Sequence, residues 1–478
     1  MRVPIGMTSA SKHPSQDANN RQCINLFPAN TGPDADPNMV LLPTPGRKLL
    51  VEVSGGLSVR AIMRFDEKIY IVVDDKVYLL TIDEGTRTAT AASIGSINSS
   101  SGRVSWARNP TQIMMVDGTA DGYIITAATD TLVTISDPDF AGGETVVFMD
   151  GYFIYNEPNS ARMHATAIND GTDMSALDVA TAEGHPDNLV GLAVDKRELW
   201  AFGHDSVEVW YNAANPTGFP FSVRQGAFVD LGCKSKHSIT SFNNTLVWLD
   251  SRNLVVAAES YTPQIISSAE IQAQIQAMED PTDALYYEYE SQGHIFYALT
   301  FPTDNITYVF DSITGLWHQV AEYTNDQGFQ RSKIHVTQNY KQWTLAGSRN
   351  SGEVFILGAE YHDNAGTEIH RLFTTDHFEN EYKFIAIDEL ELHMESGKAK
   401  VTGDGSDPMI QMRYSNDGGY SWSNSLARSM GKLGEYSKRI RWNRLGSARE
   451  WIFEFSISSN IKMAFINLAA KIGVSRDS

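Results

Sequence analysis

Cysteine is nearly absent from the 478 residues: Cys23 and Cys233 are the two that occur, far apart and without a histidine at metal-ligand spacing. A disulfide framework or a zinc cluster is therefore excluded as the organising element, and two reduced thiols are expected. Long apolar runs are missing as well, so no segment reads as a bilayer span. The N-terminal MRVPIGMTSASKHPSQDANN lacks the charged-then-apolar profile of a signal peptide, so the chain is expected to fold in the cytosol where it is made. Positive charge is in deficit, 38 Lys and Arg against 58 Asp and Glu for a net of −20. That sign opposes general nucleic-acid binding, because phosphate contacts need a basic face. Catalytic signatures are missing too. There is no HExxH, GxSxG, GxxxxGK[ST], dinucleotide-binding glycine pattern or EF-hand loop, and the histidines are scattered singly. No catalytic residue, cofactor site or metal site is assigned, and the chain reads as a protein other than an enzyme.

What the sequence does have is repetition. An apolar or aromatic strand, a tight turn of Asp, Asn or Gly, and a second strand recur at intervals of roughly 40 to 50 residues, the spacing of propeller blades rather than of helical solenoids. The copies are KIYIVVDDKVYLLTI from Lys68, QIMMVDGTADGYIITA from Gln112, VVFMDGYFIYNE from Val146 and ELWAFGHDSVEVWYN from Glu198. TLVWLDSRNLVVAA from Thr245, HIFYALTFPTDNITYVFDSITGLWHQV from His294 and QWTLAGSRNSGEVFILG from Gln342 follow. An all-β propeller of about seven blades is expected, since radial packing covers both apolar faces of each small sheet. A ring needs a clasp, and the stretch holding Ile24–Asn30 and Met39–Val53 is the candidate to complete the last blade. Between blades, SSAEIQAQIQAMED places Ile271, Ile275 and Met278 at helical spacing after a capping Ser268, which predicts one short helix over 267–280 with its stripe facing the core.

After about Tyr361 the rhythm changes. Strands are expected at 384–395, 408–417, 437–446, 450–458 and 462–472, separated by turn-rich segments, which reads as a C-terminal β-sandwich of jelly-roll-like form. The expected division is an N-terminal arm over 1–23, a β-propeller over 24–367 and the sandwich over 368–478.

Three local features invite a functional reading. The carboxylate pairs Asp137/Asp139 and Asp404/Asp407 lie in loops, where turn chemistry accounts for them as well as glycoside hydrolysis or calcium binding would. SNDGGYSW, with Ser415, Asp417, Gly419 and Trp422, matches the Asp-box pattern S-x-D-x-G-x-x-W and resembles the boxes of sialidases. A sialidase repeats the box and adds an arginine triad; here the box occurs once, outside the propeller, and a turn-locking role is expected. The third feature is a basic stretch in an acidic protein, Lys432, Lys438, Arg439, Arg441, Arg444 and Arg449, interleaved with Tyr436, Trp442 and Trp451. Strand alternation puts Arg439, Arg441 and Asn443 on one face and Ile440, Trp442 and Arg444 on the other. Lys438, Arg439, Arg441, Arg444 and Arg449 are the candidate assembly contact; contact with an acidic neighbour is favoured over DNA, and a solvated face is the plain alternative.

Taken in order, SGRVSWARNPTQIMMVDG from Ser101, HPDNLVGLAVDKRELWAFGHDSVEVW from His185, the His294 block and the final YSNDGGYSWSNSLARSMGKLGEYSKRIRWNRLG resemble the packaged-DNA-stabilisation, or tail-hub, proteins of short-tailed bacteriophages. The likeness runs from about Asn25 to the C-terminus. It implies a non-enzymatic virion protein of the tail, forming a homo-oligomeric ring, a hexamer, beneath the portal and adaptor (head-completion) rings. It implies retention of packaged DNA, docking of a tail needle or plug and of tailspike or fibre trimers, and DNA passing through a channel without sequence-specific binding. The reading from another class is a glycan-binding or sialidase-like propeller, suggested by the Asp box.

Overall fold

Alternating β-branched and aromatic residues separated by two-residue turns fold into four-stranded antiparallel sheets in a computed structural model that describes residues 2–6, 11–12, 20–32, 38–381, 383–403 and 405–473. Where those turns are tightest, both central residues have positive φ: Lys196 and Arg197, Asn243 and Asn244, Gln292 and Gly293. That is the turn geometry whose twist matches that of the flanking strands. Seven such sheets follow in order: blade 1 (59–96), blade 2 (105–134), blade 3 (146–181), blade 4 (189–229), blade 5 (240–265), blade 6 (285–319) and blade 7 (334–358 with Gly46–Glu52). Each neighbouring pair shares one apolar cluster. Ile113, Met115 and Tyr70 join blades 1 and 2, for example, and Phe202, Trp248 and Val256 join blades 4 and 5. Five of the seven repeats seen in the sequence are the second and third strands of their blades, and the His294 repeat is the second to fourth of blade 6; Val146–Glu157 is instead the first and second strands of blade 3. Its Asp150-Gly151 turn is tight, whereas the next connection runs through Pro158 and gives the weaker signal.

Ring closure uses only part of the expected clasp. Gly46–Glu52 pairs antiparallel with Glu353–Gly358 and completes blade 7. Leu26–Asn30 and Met39–Pro43 pair with each other and continue a sandwich sheet through Leu41 and Phe465. The alternation along Leu26–Asn30 accounts for this: Leu26 enters the sandwich core, while Phe27 and Ala29 enter the cluster between blades 6 and 7. Residues 23–43 thus cross the expected division at residue 24. The division expected near Glu368 falls in the connection 359–370.

The sandwich has one sheet of Ile440–Ala448, Ile385–Met394, Phe465–Gly473 and the N-terminal strands, and a second of Arg371–Thr374, Glu450–Ile457, Met409–Ser415 and Leu426–Ser429. Buried Trp442, Trp451, Phe453, Phe455, Leu390 and Leu392 fill the space between them. Cys23–Ile24 pairs with the outer strand of blade 6 on one side and with Arg371–Thr374 on the other, so blade 6 and the second sandwich sheet form one continuous ten-stranded sheet. The predicted helix forms over Ala269–Gln276 with Ser268 as its cap and Ile271 and Ile275 buried; it stops before Met278, and Pro281 opens a separate short turn.

Candidate docking surfaces

The basic strand Ile440–Ala448 and the residues leading into it are largely neutralised within the chain. Arg439 makes a two-pronged contact with Glu391 on the adjacent strand, its Nη2 2.6 Å from Oε2. Arg441 lies 3.6 Å from Glu389 and 3.5 Å from Glu391, and Lys438 lies 3.6 Å from Glu435. Arg449 occupies the corner between the two sheets, its guanidinium 5.0 Å over the Phe384 ring. The expected face assignment fails at Arg444. A bulge sets Arg444 and Leu445 opposite Asp388; Arg444 takes φ 58° and turns to solvent, and Leu445 takes the inward position after Ile440 and Trp442.

The Asp box closes on itself. Ser415 Oγ donates to Asp417 at 2.7 Å and accepts from Gly419 N at 2.9 Å, while Asp417 accepts from Ser421 N at 2.9 Å. Those bonds, the Ser421 hydroxyl first, hold the Asp417 carboxyl down at about 2. Trp422 packs on the Arg413 guanidinium at 4.8 Å. Asp137 and Asp139 likewise accept backbone N–H groups, from Met174 at 3.2 Å and Ala176 at 3.1 Å. Asp404, half of the second pair, lies outside the described residues. Both cysteines are buried thiols, Cys233 pushed up to about 12 by burial.

A larger basic surface emerges where the loops 395–403, 431–438 and 459–464 meet beside that strand. Gly434 N donates to Gly397 O and Ser396 Oγ donates to Tyr436 O, which joins the first two loops. Glu395 sits between Lys398 and Lys462, at 4.0 and 3.4 Å, which joins the third. Lys398, Lys400, Lys432, Lys438 and Lys462 are all exposed here, around Val401, Leu433 and Tyr436 at 78%, 52% and 66% exposure. The sequence reading missed Lys398, Lys400 and Lys462.

Charge is divided unequally between the two parts of the chain. Residues 370–478 carry 15 basic and 14 acidic side chains, net +1, whereas residues 1–369 carry 23 and 44, net −21. Blades 2 to 4 (105–229) alone hold 5 basic and 17 acidic residues, net −12. In a seven-bladed ring, blade 3 lies opposite the junction of blades 6 and 7 to which the sandwich is joined. Its outer strand, Asp170–Thr181, carries Asp173 and Asp178, with Glu183 following and Leu177 and Ile168 exposed at 77% and 63%. Burial raises the Asp178 carboxyl above its ordinary range.

The propeller axis is not open. Arg103, just before the inner strand of blade 2, reaches across to blade 6, where its Nη1 donates to Tyr286 O at 2.7 Å and its guanidinium lies 4.5 Å over the Tyr286 ring. This bar leaves two cavities. One of about 210 Å³ is lined by blades 1, 2, 6 and 7, and one of about 180 Å³ by the inner edges of blades 2 to 6.

The family model described as bacteriophage P22 Gp10, β-propeller, matches residues 1–361, and that described as bacteriophage P22 Gp10, β-sandwich, matches residues 370–473. Among solved structures, the chain is similar to the WD40 β-propeller domain of Doa1, at 11% identity over 66% of this chain and 97% of that one, with a TM-score of 0.43. It is also similar to a chain of the mitotic checkpoint complex, at 12% identity over 66% of this chain and 92% of that one, with a TM-score of 0.43. No curated protein matches it.

Proposed function

The chain belongs to the bacteriophage P22 Gp10 family, matched in both its β-propeller and its β-sandwich, and on that footing we propose that it is a non-enzymatic structural protein of a phage tail. The observation that carries this reading is the pair of matches, in order, over residues 1–361 and 370–473. Its place is the virion tail, in a ring of copies, a hexamer, beneath the portal and adaptor rings. There it helps retain the packaged genome and offers docking surfaces to a tail needle or plug and to tailspike or fibre trimers.

Two observations support a ring. Unequal charge favours a head-to-tail contact in which the basic loops of one sandwich meet the acidic outer edge of blades 2 to 4 on the next copy. Both surfaces also expose large apolar side chains, Leu433 and Tyr436 on one and Leu177 and Ile168 on the other, which gives such a contact an apolar centre. DNA would pass through the opening between copies, because the Arg103–Tyr286 bar closes each propeller axis. A channel bordered by acidic propellers would let the duplex pass without sequence-specific binding.

Depletion of the protein during infection tests the reading. Heads are expected to fill and then lose their DNA, and to lack tail appendages by electron microscopy. Particles that keep their genome and remain infective without the chain would overturn it.

A further inference from the structure

We propose that the smaller axial cavity is a binding site for a compact tetrahedral oxyanion, sulfate or phosphate, held by Arg103, Lys236 and His237. The cavity encloses about 180 Å³ and its wall includes these three basic side chains together with Ser105 and Tyr286. No carboxylate is part of that wall, although Glu144, just before Thr145 of the wall, pairs with Lys236 Nζ. Among the described residues no carboxylate pairs with the Arg103 guanidinium, which leaves a partly buried positive charge on the axis of a chain of net charge −20.

Arg103, His237 and Ser105 keep donors free to receive an anion, and Lys236, paired with Glu144, keeps two of its three. Arg103 uses Nη1 on Tyr286 O and lays its face on that ring, and its other N–H groups have no acceptor among the described residues. The His237 ring has no hydrogen-bond partner among the described residues, and Ser105 Oγ accepts from Val146 N at 3.1 Å with its own proton unspent. A tetrahedral anion accepts from several donors at once, and charge-assisted bonds of this kind are the strong ones.

The electrostatics agree with the geometry. Burial, then Arg103, Lys236 and His335, holds His237 well below its ordinary pKa. His335 on blade 7 is held down to about 3 by burial and by Arg103, Arg331, Arg349 and Arg60. Burial likewise lowers Arg103, with Tyr286 and Tyr297 beside it. An anion in the cavity opposes the field of Arg103 and Lys236 and favours protonated His237, so its binding takes up a proton and tightens as the pH falls below the ordinary imidazole range. Sulfate does not itself titrate in that window and is the better probe.

The test is calorimetry and thermal unfolding of the full chain with sodium sulfate against sodium chloride at matched ionic strength, with sodium acetate as the carboxylate arm. Expected are saturable one-to-one sulfate binding, a heat that varies with the buffer's ionisation enthalpy as proton uptake requires, a rise in Tm, and no such response to acetate. Arg103→Gln and His237→Asn should each weaken binding by about tenfold or more. Should Arg103→Gln fail to fold, Lys236→Gln and His237→Asn carry the test. A response equal to that of chloride, or one unchanged in the folded variants, overturns the proposal, whether or not the chain proves to be a tail protein.

Discussion

His318 lies fully buried on the outer strand of blade 6 with neither ring nitrogen partnered, among the rings of Phe27 and Phe296 at 6.0 and 5.5 Å. Burial holds its pKa down to about 3, against about 6.5 for a free imidazole. The unfolded chain therefore takes up this proton first, and stability present at neutral pH is lost as the pH falls from about 6.5 toward 3, by about 1.4 kcal/mol per pH unit. His318→Phe should flatten the pH dependence of urea unfolding by that slope in that window; an unchanged slope would show that His318 is protonated in the fold. At this scale the sequence was legible where partners are near neighbours. The Asp box could be read because Ser415, Asp417, Gly419 and Ser421 bond one another. Arg444 could not, because its bulge is set by the register against Asp388, a residue distant in the chain.

Among elements, the closing strand Gly46–Glu52 holds the ring and is tied to the connection toward the sandwich. Arg47 pairs with Glu322 at 2.6 and 3.0 Å, and Asn364 donates to the same carboxylate. Burial opposes ionisation of Glu322, but Arg47 and its hydrogen bonds outweigh that and lower its pKa. Removing one partner leaves the other charge buried, so Glu322→Gln should cost about 3 kcal/mol in chemical unfolding. A cost near zero would mean that Arg47 finds water in its place. Gly46 has no room for a side chain: a Cβ there would stand 2.4 Å from Tyr361 O and 2.5 Å from Asp363 O. Gly46→Ala should cost about 1–3 kcal/mol and expose the closing strand to limited proteolysis. Protection equal to that of the parent protein would place closure elsewhere. The blade hairpins were legible because each is local and periodic. The division of the N-terminal stretch between blade 7 and the sandwich was not, because Leu26 and Phe27 are both apolar and only tertiary packing assigns them to different cores.

At the scale of the whole molecule, the net charge of −20 concealed a division that the sequence contained, −21 before residue 370 and +1 after it, which becomes visible once a domain boundary is drawn. The Arg103 bar was beyond reach, since it joins blades 2 and 6 across the axis. A head-to-tail contact between unlike surfaces should weaken with salt. Charge reversal of Lys398, Lys432 and Lys438 to Glu should abolish assembly, and reversal of Asp173, Asp178 and Glu183 to Lys on the partner copies should restore it, as read by sedimentation. Restoration by an unrelated triple reversal on blade 6 would refute the pairing of these surfaces. The most direct test of the account is cryo-electron microscopy of the virion that carries this protein. The result expected is a ring of propeller-and-sandwich subunits at the tail below the head, each sandwich against the acidic edge of the next propeller; a tail without density of this shape would contradict the account.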